Sequence, residues 1–347
     1  MSEKTTKPSK KLILAETVHI REQLNNDVRH YKYIEEAEES WAKEIHYMEH
    51  DVKLLAFARN ELDAISDCYL IYAVACLGVT EAEGIKLFLS AIKKSTAGVT
   101  IMDVDNNDYL RGRLKYLTRL GMFFRFKYTV HVENKGEMKE NIITLYTVLN
   151  DAQTFMNKKL AKNLAINDWI QAKPIYELMG WASAAYAAGK IAQSDKFIEF
   201  DQGVFATKAI GTRFIPSIVK LRYQEDDVVY VGVIGAFLHR LKGGQSERDY
   251  EKNCSKLVAV IKQFLYSRDV NGHYGRVVMV VEDNGDLNEM AEWIHKSQNL
   301  EEDYDRIYFT GEGALKTIPD LGRSFLVMKK EDTKNGYSFV PKVPDFI

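Results

Sequence analysis

Residues 105–150 read DNNDYLRGRLKYLTRLGMFFRFKYTVHVENKGEMKENIITLYTVLN, and this stretch predicts a short helix followed by a two-stranded hairpin. Asn106, Asn107 and Asp108 offer side-chain oxygens to cap the first N–H groups of a helix, and Gly121 supplies the left-handed residue that ends one. Between them Leu110, Leu114, Leu117 and Leu120 recur at spacings of three and four, which makes one apolar stripe. Arg111, Lys115 and Arg119 stack on the other side, with Thr118 beside them. One face packs and the other is cationic.

Beyond the glycine, Phe124, Phe126, Tyr128, Val130 and Val132 alternate with Arg125, Lys127, Thr129 and His131, the period of a half-buried strand. Asn134, Lys135 and Gly136 carry turn chemistry, and residues 142–149 return as the second strand. A lone basic helix is most often a solvated face. Here helix, glycine stop and basic hairpin follow one another in the order of a winged helix, which favours contact with double-stranded DNA. The candidate contacts are Arg111, Lys115, Thr118 and Arg119 on the helix, with Arg125, Lys127, Lys135 and Lys139 on the hairpin.

The chain has 347 residues, 46% of them hydrophobic and 28% charged, enough for two ordinary domains with a substantial core. Its formal charge is −2, so any nucleic-acid binding must come from a local patch. Three cysteines, Cys68, Cys76 and Cys254, show no CxxC spacing. They are expected to be core thiols, with no disulfide framework, metal site or cofactor. No signal peptide or membrane-length apolar run is evident, which leads us to expect a cytoplasmic protein that does not contact membranes.

Ahead of the opening stretch, residues 1–51 are expected to hold a polar tail and a long amphipathic helix. Tyr31, Ile34, Trp41, Ile45, Met48, Val52 and Leu55 follow a three-four rhythm that suits either packing on the protein itself or homodimerisation. Within it, His46, Glu49 and His50 match the inverted zinc-protease pattern HxxEH. In a segment so rich in Glu, Lys and His that spacing carries little weight, and a solvated flank is the better reading. Residues 65–77 predict a buried helix ended by Gly78. Thr80 and Glu83 then form a capping box for the next helix, and residues 99–102 are expected to add a small strand. The winged helix would span residues 52–150.

After a helical linker at 151–173, Pro174 is placed to open a helix rich in small residues, ending at Gly189. Strands are expected at 196–207, 214–223 and 228–238, a helix at 246–268 and a strand at 276–281. A helix at 286–298 and strands at 306–310 and 324–328 follow, before a mobile or docking tail at 331–347. The fold class is thus mixed α+β or α/β in two parts, the second (174–330) a mixed sheet of order αβββαβ.

That order resembles the core of the PD-(D/E)xK nuclease-like superfamily. Joined to a winged helix, it is similar to the replication-relaxation family of plasmids and other mobile elements of Gram-positive bacteria. The resemblance implies a DNA-processing role beside a partner such as a relaxase or replication initiator. Active members open the second strand with Pro-Asp, and here Pro216 is followed by Ser217. The acidic slots of the third strand hold Gly232 and Ile234, or Gly235 and Phe237, while Lys256 and Leu257 match a Lys-Leu of the family. Phosphodiester cleavage on this fold needs carboxylates around a divalent metal, so no catalytic residues are assigned and a non-enzymatic accessory factor is expected. A transcription regulator with an α/β sensor domain, an active nuclease drawing on Glu199 and Asp201, and a winged helix that binds only protein remain the alternatives.

Overall fold

The computed structural model of the chain describes residues 10–24, 28–33, 61–95, 106–119, 121–134, 137–149, 152, 175–202, 217–223, 227–238, 246–266, 275–297, 300–332 and 335–347. In chain order its helices are α1 (Lys10–Leu24), α2 (Glu61–Leu77), α3 (Ala82–Ser95), α4 (Asn107–Arg119), α5 (Ile175–Ile191), α6 (Glu247–Tyr266), α7 (Asn284–Lys296) and α8 (Glu312–Thr317). The strands are β1 (Val28–Tyr33), β2 (Phe123–Asn134), β3 (Glu137–Val148), β4 (Phe197–Gln202), β5 (Ser217–Arg222), β6 (Val228–Gly235), β7 (Arg276–Val281), β8 (Ile307–Gly311), β9 (Leu326–Lys330) and β10 (Tyr337–Pro341). They build a seven-stranded mixed sheet, ordered β10-β9-β8-β7-β6-β5-β4, and a three-stranded antiparallel sheet, ordered β1-β2-β3.

The apolar run RVVMVV of β7 explains the larger sheet. β7 lies between β6 and β8 and parallel to both, and a parallel strand apolar on both faces must be covered on both. Val278 and Val280 join a buried cluster with Leu70 and Val74 of α2, Phe88 of α3 and Ala184 of α5. Val277, Met279 and Val281 join a second cluster with Leu257 and Ile261 of α6 and Leu287 and Met290 of α7. The expected αβββαβ order is present as α5-β4-β5-β6-α6-β7.

Small residues let α5 lie directly on the sheet. A Cβ on Gly235 of β6 would stand 1.9 Å from the carbonyl oxygen of Gly180 on α5, so glycine here is a requirement of close approach. Helices α2 and α3 then pack over α5 and β4. The rings of Phe88 and Phe200 stack at 4.1 Å, and the Tyr72 hydroxyl donates to the Phe200 carbonyl at 3.3 Å. The first buried cluster therefore runs from Cys68 to Phe346, across the boundary expected near residues 150–174. Cys68, Cys76 and Cys254 are all buried thiols within the core.

Several expectations are corrected. The helix expected from residue 12 onward gives way after Leu24 to strand β1, which pairs antiparallel with β2 from Val28↔Glu133 to Tyr33↔Tyr128. Tyr31 sits in that strand and not on a helical seam. Its sequence VRHYKY is β-branched and aromatic enough to take the free edge of β2, an option that the absence of Gly and Pro does not reveal. The rest of the seam and the His46, Glu49, His50 pattern lie outside the described residues, as do residues 99–102 and nearly all of the linker. The small strand contact comes instead from Thr80, whose backbone pairs with Tyr146 of β3. Helix α3 begins at Ala82, so Thr80 lies one residue ahead of the cap position; its hydroxyl donates to the Glu81 carbonyl at 3.0 Å and the expected capping box is not formed. Gly189 lies inside α5, which continues to Ile191. The C-terminal segment docks on its own sheet: β10 pairs with β9, Phe346 is fully buried, and Asp345 accepts from Arg276, Tyr223 and Tyr308. Burial pushes the Asp345 carboxyl up, but the Arg276 guanidinium and the two hydroxyls outweigh it and hold it below the usual carboxylate range.

Because the Gly180–Gly235 contact leaves no room for a methyl group, Gly235→Ala should destabilise the protein by about 2–3 kcal/mol. A thermal melt of the variant checks this, and an unchanged melting temperature would contradict the packing described.

Candidate nucleic-acid interface

The local sequence of α4 fixes both of its ends. The side-chain oxygen of Asn106 accepts from the Tyr109 backbone N–H at 3.1 Å, which caps the N-terminus. At the other end Gly121 has φ of 71°. Its N–H donates to the Thr118 carbonyl, and that of Met122 to the Leu117 carbonyl, both at 3.0 Å. Those two bonds are a Schellman motif, which closes off the last carbonyls of the helix.

Leu110, Leu114 and Leu117 bury the inner face of α4 as their spacing requires. An ion pair orients it further. Asp67, buried on α2, takes two hydrogen bonds from the Arg113 guanidinium, one of them 3.0 Å long. The guanidinium also sits 4.5 Å from the Tyr116 ring centre. Asp67 thus ties α4 to α2 at a defined rotation, and Arg111, Gly112 and Lys115 come out exposed on the opposite side with Arg119 half-buried among them. Thr118 does not belong to this surface. It is 1% exposed, and its hydroxyl donates to the Leu114 carbonyl at 2.8 Å.

Strand register decides which hairpin residues face α4. Arg125 pairs with Tyr146, Lys127 with Thr144 and Thr129 with Ile142, so these six share one face of the ribbon. Phe126, Tyr128 and Leu145 take part in the second buried cluster, with Ile20 and Leu178. Lys139 pairs with Val132, which puts it on the opposite face from Arg125 and Lys127 and removes it from the candidate surface. Lys135 lies outside the described residues.

The two cationic faces meet in a cleft of ≈ 470 Å³ lined by residues of α3, α4, β2 and β3, among them Arg111, Lys115, Arg125 and Tyr146. Burial lowers the pKa of Lys127, and the nearby charges of Arg125 and Lys115 lower it further. Burial raises the Tyr146 hydroxyl, while Arg125 and Arg111 pull it down. These cations therefore act on one another across the cleft. Lys86 of α3, which the sequence reading passed over, lines the same cleft and donates to the Asn107 side-chain oxygen at 3.0 Å. It lies on the outward side of α3, where sequence periodicity marks only exposure. Glu81 and Glu83 form part of the rim, and Ile142 leaves 62% of its surface exposed there.

The nuclease-like slots hold no such convergence. Ser217 is fully buried at the head of β5, Ile234 and Phe237 are buried, and Gly235 is covered by the α5 backbone. Glu199 is paired with Lys220 at 2.9 Å, and Asp201 is exposed two residues on. Leu257 is in the core, while Lys256 beside it is half-buried. Of the acidic turn only Asp227 is described, its carbonyl accepting from the Tyr223 N–H. Among the described residues, no group of three or more His, Cys, Asp or Glu could hold a metal ion, and no helix is long and apolar enough to cross a membrane. Comparison with family models, curated proteins and solved structures finds no match to this chain.

If the ion pair sets the attitude of α4, removing both partners should cost less than the sum of removing each alone. Asp67→Ala should destabilise the protein by about 3 kcal/mol, because it strands the Arg113 charge. The double variant Asp67→Ala, Arg113→Ala should recover at least about 1 kcal/mol of that loss relative to additivity. Urea melts of the four proteins measure both, and strict additivity would contradict the assignment.

Proposed function

We propose that this chain is a non-enzymatic DNA-binding protein of the winged helix-turn-helix kind, with α4 as the recognition helix and the β2–β3 hairpin as the wing. The observation that carries this reading is the meeting of Arg111 and Lys115 of α4 with Arg125 of β2 and Lys86 of α3 around one cleft, with Lys127 close enough to feel the charges of Arg125 and Lys115. In a chain of formal charge −2 this patch is local, and it is set on a helix whose inner face is held by the core. The run α2, α3, α4, β2, β3 supports the same reading, because three helices followed by a hairpin suit a winged helix, with the single bridge residue Thr80 in place of a small strand.

Within that reading, α4 enters the major groove and the hairpin lies along the adjoining phosphate backbone. The resemblance to the replication-relaxation family supports a role as an accessory factor in replication, relaxation or transfer of a mobile element, beside a relaxase or initiator protein. The α/β part then serves as scaffold and contact surface. What supports the absence of hydrolysis is that Ser217, Gly232, Ile234, Gly235 and Phe237 supply no carboxylate to hold a divalent cation and activate water for attack on phosphorus.

Replacing Arg111 and Lys115 together by Glu should weaken duplex binding at least about tenfold at moderate salt, since phosphate neutralisation dominates such affinities. The wild-type affinity should fall with a log-log salt slope of about −0.9 for each phosphate contact. Titrations at several salt concentrations test both statements, and a flat salt dependence would count against the proposal. Incubation with supercoiled DNA and manganese should leave the DNA intact, whereas nicking that disappears in Asp201→Ala would show a working nuclease.

A further inference from the structure

Gly112 is exposed on α4, next to Arg111 in the chain and three residues before Lys115, both of them also exposed. A glycine inside a helix weakens it relative to alanine, because the unfolded chain has more backbone freedom to lose. At several other positions glycine answers a demand from the chain itself. At Gly235 and Gly313 a Cβ would strike backbone atoms, and Gly121 takes a positive φ. At Gly112 a Cβ would meet nothing within 4 Å among the described residues, and its φ lies outside the left-handed region. No contact among those residues accounts for the choice of glycine there. A demand from outside the protein would account for it, and the neighbouring cations Arg111 and Lys115 fit a polyanion.

We propose that Gly112 is a positioning residue at which the α4 backbone touches the floor of a DNA major groove, with Arg111 and Lys115 reaching base edges and phosphates beside it. The inference rests on the DNA-binding reading and sharpens it, because it makes depth of insertion the quantity that α4 controls. Side chains on one helical arc reach base edges together only when the helix lies deep in the groove. A methyl group at Gly112, beside Arg111 and Lys115 on the exposed side, would hold the helix out and lengthen those contacts.

The test compares the wild type with Gly112→Ala and Gly112→Leu, using the tightest-binding duplex recovered by the wild type from a random-sequence pool. Gly112→Ala should melt at a higher temperature than the wild type, as alanine does in an exposed helix interior. It should also bind that duplex at least about tenfold more weakly, the scale of losing one good base contact. Gly112→Leu should bind more weakly still. Binding equal to the wild type in the alanine variant would overturn the proposal. So would a lowered melting temperature, which would show that the space is needed within the protein. If the wild type recovers no duplex, the DNA-binding reading falls first and this inference with it, an outcome visible before any substitution is made.

Discussion

Strands β6, β7 and β8 lie parallel and bury both faces, so the sheet must be covered on both sides. The rest of the architecture follows from that demand. Helices α6 and α7 cover one face as crossovers, while α5 reaches the other through the Gly180–Gly235 contact. The upper side of α5 then needs its own cover, supplied by α2 and α3 with Phe88 stacked on Phe200. Each layer presents an apolar surface that the next must bury, until α4 closes the series with a face that is charged.

That last step links packing to function. A helix held only by Leu110, Leu114 and Leu117 could roll by tens of degrees at modest cost, since apolar burial is non-directional. The Asp67–Arg113 pair is directional, and a bidentate guanidinium–carboxylate contact fixes orientation as well as distance. On this account the pair costs desolvation and returns a defined presentation of Arg111, Gly112 and Lys115 beside Arg125 and Lys127. Two cationic faces from different elements are thereby held beside one cleft, where burial first, and then the charges of Arg125 and Lys115, lower the pKa of Lys127. A surface arranged this way is stabilised by an anion that spans it.

Much of this was legible in the sequence wherever local chemistry alone sets the structure. The Asn106 cap, the Gly121 stop, the stripe of Leu110, Leu114 and Leu117 and the strand that starts at Phe123 depend on neighbours a few residues away, and each is found where its spacing placed it, while Leu120 lies outside the described residues. The αβββαβ order was legible for the same reason, since RVVMVV and its flanking helices announce themselves by period. Features that depend on distant partners were not. Strand β1 forms because β2 offers it an edge, the role of Arg113 depends on Asp67 forty-six positions earlier, and Lys86 joins the cleft only through the placement of α3 against α4. Lys139 and Thr118 show the complementary error. Their charge or hydroxyl suited the interface, but strand register turned one away and helix phase buried the other.

The central claim, that the cleft between α4 and the hairpin is where DNA sits, is tested most directly by amine footprinting. The full chain is acetylated with and without saturating duplex DNA, and the reactivity of each lysine is compared. The account predicts that Lys86, Lys115 and Lys127 are shielded by DNA while Lys252 on α6 and Lys329 on β9 react as before. Shielding that misses those three lysines, or falls equally on Lys252 and Lys329, would contradict it.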